Sequence, residues 1–183
     1  RIEDAYPTPE VPLRLEERNG VAIDRVFGSV AVGPFNFQVC TQGEFRTRVH
    51  LKNFTLAQVG LLGLVLRDLG EGWFGLGFAK SRGLGTVELR YHSAIARYPG
   101  CVLSEDGQRI EILGNPEKNW DATYLLGAGE FLDDGERRKY GFPEDDFQQT
   151  PVRGQGMKWG LGVELQWEGD NLVPDLFTRA VGA

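Results

Sequence analysis

Between residues 72 and 91 the chain reads GWFGLGFAKSRGLGTVELRY, with Gly72, Gly75, Gly77, Gly83 and Gly85 set around the basic triplet Lys80-Ser81-Arg82. No other stretch narrows the choice of fold as much. Glycine loses more conformational freedom on folding than any other residue, so a cluster of glycines belongs where the backbone turns with positive φ or lies close against something else. The preceding residues 55–70, TLAQVGLLGLVLRDLG, carry a helical pattern. Thr55 and Gln58 form a capping box, Leu56, Val59, Leu62, Leu66 and Leu69 share one face, and Gly70 stands at the C-terminal stop. Gly60 and Gly63 weaken that helix and let it lie close on a sheet. Residues 84–91 then read as a strand, so the loop joins a helix to a strand.

Upstream, FNFQVCTQGEFRTRVHLKNF alternates at Phe35, Phe37 and Val39, and again at Phe45, Thr47, Val49 and Leu51, on either side of Gln42-Gly43. Period-two alternation about a short glycine-containing turn predicts a β-hairpin there. Residues 1–34 are rich in Pro, Arg and Glu, with PTPEVP near the start and Asn19-Gly20 further on, and read as an excursion away from a core. The order strand, strand, helix, glycine loop, strand is the second half of a βαββαβ domain. The expectation is therefore an α+β, ferredoxin-like domain lacking its first βα unit. Its C-terminal half occupies residues 35–100, beside an inserted segment at 1–34 and ahead of an acidic, β-rich extension at 101–183 that packs on the same sheet.

A chain of 183 residues that is 41% hydrophobic can bury one real core and a small second lobe. No apolar run approaches the roughly 20 residues of a membrane span, and no charged-then-apolar leader opens the sequence, so a cytoplasmic setting is expected. Cys40 and Cys101 are too few for a disulfide framework and read as small buried hydrophobes. His50 and His92 lack metal-site spacing and read as structural. The net charge of −6 argues at first sight against a polyanionic partner, but residues 1–100 hold 12 Lys+Arg against 10 Asp+Glu while residues 101–183 hold 8 against 16. A mildly basic first part can present a local cationic groove that the total conceals.

Within the extension, Asp133-Asp134 and Glu144-Asp145-Asp146 have oxygen ligands suited to calcium or magnesium but no EF-hand spacing, and they read as a solvated, mobile loop region. Gly160-Leu161-Gly162-Val163-Glu164-Leu165 echoes the segment from Gly83 to Leu89 and leaves open a second, degenerate strand edge beside the first. Trp120, Trp159 and Trp167 are candidates for stacking on bases, with core packing the expected use of at least two.

RIEDA at 1–5, IDRVFG at 23–28 and the run FRTRVHLKNFTLAQVGLLGLVLRDLGEGWFGLGFAKSRGLGTVEL at 45–89 resemble the RAMP superfamily of type III CRISPR effector complexes. The specific element is the capped helix followed by G-x-G-x-x-K-S-R-G-x-G, here Gly75, Gly77, Lys80, Ser81, Arg82, Gly83 and Gly85. The resemblance implies an RRM-like backbone subunit that holds a guide RNA, presents it to a complementary target RNA, and assembles with other effector subunits. It also implies that the region around Ile23-Asp24-Arg25 is a thumb hairpin, with Arg25 on RNA. The loop chemistry agrees. Glycines let backbone N–H groups approach phosphates, Lys80 and Arg82 add charge, and Arg82 can hold a phosphate through two parallel hydrogen bonds.

The family segment that supplies the first strand, and in several members the Asp that cleaves target RNA, has no counterpart in these residues. Asp24 is left as the catalytic candidate, better placed than Asp4, with magnesium implied if target RNA is cut. An Asp next to an Arg is more often a structural turn or a salt bridge. The alternatives are an endoribonuclease subunit of the same assembly, and an unrelated β-rich carbohydrate- or protein-binding domain whose glycine loop is only a turn.

Overall fold

The computed structural model describes residues 1–182 and divides into two compact units, Arg1–Lys52 and Asn53–Ala183. The first unit is a long two-stranded ribbon. Its strands are β1 (Tyr6–Pro7), β2 (Arg14–Ile23), β3 (Val30–Gln42) and β4 (Phe45–Arg46). β1 pairs antiparallel with β4, and Ile2 bridges Val49 below them. β2 then pairs with β3 up to a turn at residues 24–29.

The hairpin expected about Gln42-Gly43 is thus absent. The alternation at residues 35–51 marks extended chain correctly, but each half pairs with a segment upstream of it instead of with the other half. A Cβ at Gly43 would collide with the Leu13 side chain, so the chain bends past Leu13 at this point and does not reverse. Little is buried in this unit. Thr8 and Val39 are its buried side chains among the described residues, and Cys40, expected inside, is exposed.

The second unit holds the core. α1 (Leu56–Gly70) starts as its sequence predicts: the Gln58 amide donates to Thr55 Oγ1 at 3.3 Å, and the Thr55 amide donates to Gln58 Oε1 at 3.1 Å. Beyond the glycine loop follow β5 (Ser93–Tyr98), β6 (Cys101–Leu103), β7 (Arg109–Ile112), β8 (Asn115–Asp121), β9 (Tyr124–Leu126), α2 (Asp134–Tyr140), β10 (Phe147–Gln149), β11 (Gln155–Gly156), β12 (Val163–Glu168) and α3 (Gly169–Val181). They make a sheet in the order β11-β12-β5, a β6-β7-β8 meander and a β9-β10 pair, all antiparallel. The alternate residues Val163, Leu165 and Trp167 of β12 are wholly buried, as period-two geometry requires of a half-covered strand. Cys101 is buried as expected, and burial pushes its thiol up to about 11.

Two expectations are corrected here. Gly60 and Gly63 do bring α1 close to a neighbour, but that neighbour is α3 and not a sheet. A Cβ on Gly60 would lie 2.7 Å from the Ala180 carbonyl oxygen, and one on Gly63 would meet Phe177. The acidic runs are also not simply solvated loop. Asp133 caps α2 by accepting from the Glu136 amide at 2.7 Å. Asp146 is buried: it accepts from the Leu56 amide at 2.8 Å and from the Gly129 amide at 3.0 Å. A carboxylate at the N-terminus of α1 satisfies an orphan donor and meets the positive end of the helix dipole. The extension is in this way tied to the helix that precedes the glycine loop.

Candidate nucleic-acid interface

The glycine loop is a closed structure. α1 unwinds through three backbone bonds, the last from the Trp73 amide to the Asp68 carbonyl at 2.9 Å, and the loop is pinched shut where the Leu76 amide donates to the Gly85 carbonyl at 2.9 Å. Gly85 is required by that pinch, because φ is +88° and a Cβ would run into the Leu76 carbonyl. Between the two, Lys80–Arg82 form one turn of 3-10 helix, entered from Ala79 at φ +58° and left through Gly83 at φ +78°. A Cβ on Gly83 would meet only open space, so glycine there serves the left-handed turn and keeps the surface bare.

Gly75, Gly77, Lys80, Ser81, Arg82, Gly83 and Gly85 lie together in this one loop. The Lys80 and Arg82 side chains are exposed and have no hydrogen-bond or ion-pair partner among the described residues. Two cations without a carboxylate beside them are available to an anion from outside. Sequence reasoning passed over the loop's aromatic content: Trp73 is 78% exposed and Phe78 69% exposed. Trp73 Nε1 donates to Glu71 Oε2 at 2.9 Å, which fixes the ring while leaving its faces out. An aromatic every few residues in a basic loop was the available signal.

The strand predicted at 84–91 does not form: the segment belongs to no sheet, with Gly85 left-handed at φ +88°, and only its alternating burial survives. Val87, Leu89 and Tyr91 are half-buried while Thr86, Glu88 and Arg90 point out. The backbone N–H and C=O groups of residues 86–90 have no partner among the described residues. Pairing resumes only with β5, whose partner β12 carries the echoed Val163-Glu164-Leu165.

Asp24 and Arg25 lie in the other unit, at the turn that closes the ribbon. The Asp24 Oδ1 accepts from the Val26 amide at 2.7 Å and from the Phe27 amide at 2.9 Å, and the Asp24 amide donates to the Ser29 carbonyl at 2.8 Å. The Phe27 and then the Val26 amide hold its carboxyl below the usual range. Val26 and Phe27 are more than four-fifths exposed, so the turn presents an apolar point. Of the three tryptophans considered for stacking, Trp167 lies in the core and Trp120 donates to Glu130 Oε2 at 2.7 Å beside Phe131, whereas Trp159 is 92% exposed. His50 Nε2 donates to Glu3 Oε1 at 2.8 Å, and no group of residues suited to a metal ion is found among the described residues. No helix among them is long and apolar enough to cross a membrane.

The family model described as the RAMP superfamily matches residues 1–88, from the start of the ribbon through the glycine loop. No curated protein and no solved structure matches the chain. Over residues 1–88, a little under half of its length, the chain is similar to the RAMP superfamily, and this match supports a CRISPR-associated RAMP protein. Residues 89–183 lie outside the match.

Proposed function

We propose that the chain is a backbone subunit of a type III CRISPR effector ribonucleoprotein, which holds guide RNA and presents it to complementary target RNA beside other effector subunits. The observation that carries this reading is the pair Lys80 and Arg82, exposed and uncompensated on a closed glycine loop directly after α1. Cations on such a loop read phosphates and not bases, which suits a protein that must accept any guide sequence. The ribbon with its Val26-Phe27 point supports a thumb that wedges into the guide–target duplex. The segment 86–90, with alternating burial and unpaired backbone, supports a ferredoxin-like sheet whose first βα unit is not part of these residues, since such a sheet leaves one segment without its neighbour when that unit is missing.

The test is the double variant Lys80→Ala/Arg82→Ala. Affinity for single-stranded RNA falls for all sequences alike, and the slope of log K against log salt drops by roughly one unit for each phosphate that the variant no longer neutralises. Unchanged affinity and slope in a folded double variant would show that the loop does not touch RNA.

A further inference from the structure

The echo of the glycine loop in the extension is also an echo in three dimensions. In the first loop the Gly83 amide donates to the Lys80 carbonyl at 3.1 Å, Gly83 is left-handed and open, and Gly85 is left-handed and crowded by Leu76. In the second loop the Gly160 amide donates to the Met157 carbonyl at 3.0 Å, Gly160 is left-handed and open, and Gly162 is left-handed and crowded by Met157. Each loop is closed by an amide that donates to the carbonyl of its second glycine, from Leu76 to Gly85 over the longer span and from Met157 to Gly162 over the shorter, both at 2.9 Å. Each leads into a Val-Glu-Leu run with Val and Leu turned inward.

The second loop carries Lys158 and Trp159 where the first carries Ser81 and Arg82. Lys158 has no partner among the described residues, and the nearby Glu164 is already paired with Arg97 at 3.1 Å. Trp159 is 92% exposed at φ +63°. A left-handed non-glycine residue is disfavoured, and an exposed indole gains nothing from burial, so folding alone selects against Trp at this position. A shallow hollow beside it is lined by Arg97, Met157, Lys158, Trp159, Leu161 and Glu164.

We infer that residues 157–162 form a second binding point for single-stranded RNA, with Trp159 stacking on a base and Lys158 on an adjacent phosphate. The inference rests on the RNA-binding reading of the first loop. Base–aromatic stacking is indifferent to sequence because every base offers a π-face, so the second loop obeys the same requirement as the first.

Binding of a labelled oligouridylate to the full chain, followed by anisotropy beside thermal melts, tests this with Trp159→Gly, Trp159→Phe and Lys80→Ala/Arg82→Ala. Trp159→Gly weakens binding on the order of tenfold while its melting temperature holds or rises, because glycine relieves the left-handed strain; Trp159→Phe keeps most of the affinity. Parental affinity in Trp159→Gly beside a weakened Lys80→Ala/Arg82→Ala protein overturns the second binding point and leaves the first standing. Parental affinity in both overturns both. Parental RNA affinity in Trp159→Gly with impaired association to other effector subunits also overturns the inference, and makes the loop a protein-docking point.

Discussion

At the ribbon's turn one oxygen of Asp24 already serves two backbone donors, and this decides what a substitution there should do. Asp24→Ala removes the acceptor and loosens the turn, whereas Asp24→Asn keeps a carbonyl oxygen in its place and holds it. The amide shifts of Val26 and Phe27 in an NMR spectrum report the difference. Because the folded carboxyl titrates below its ordinary 3.8, its contribution to the turn is complete above that pH and is lost as pH falls through the lower folded value. In the assembled complex, rescue of RNA binding by Asn points to the turn. Loss of single-site target cleavage in both variants, with affinity intact, would make Asp24 a catalytic group instead. The sequence placed Asp24 in a turn beside Arg25 but could not say which amides it would hold. It misjudged Asp146 for a related reason. An acidic run looks the same whether its last member faces water or caps a helix 90 positions away in sequence.

Among the elements, α1 was legible down to its capping box, since capping depends on residues within one turn of each other. Strand pairing was not legible to that degree. Alternation marked the strands within residues 35–51, but it carries no information on partners, which sit far away in sequence, and at 84–91 the same pattern belongs to a segment that joins no sheet. The helix glycines were read as a close approach without the identity of what approaches, because α3 lies in a part of the sequence that gave no specific signal. The segment 86–90 makes a sharp prediction. With no partners for its backbone, its amides exchange with solvent near the rate of unstructured chain, while those of β5, bonded to β12, are protected by several orders of magnitude. Hydrogen exchange read by mass spectrometry separates the two segments. Protection spreading to 86–90 when other effector subunits are added would mark the arrival of a neighbouring strand.

On the scale of the whole molecule, the sequence's division of charge does not follow the division of structure. The ribbon unit holds 7 Lys+Arg against 7 Asp+Glu, and the second unit 13 against 19, so the cationic loop sits on the more acidic body. On the proposed reading, RNA affinity depends on where charge is left unpaired, and the net value of −6 does not forbid it. Burial is divided still more unevenly. Every member of the main hydrophobic cluster, from Leu56 to Ala180, belongs to the second unit, while the ribbon exposes Leu15, Val21, Ile23, Val30 and Val32 along its length. Two strands alone are at best marginally stable in water, because they cannot bury enough apolar surface to offset the ordering of their backbone. Residues 53–183 expressed alone should therefore unfold cooperatively in urea at close to the midpoint of the full chain, and residues 1–52 alone should show no cooperative transition. A cooperative transition in the isolated ribbon would mean that its strands hold themselves, and that the exposed apolar residues are surface and not an interface waiting to be covered.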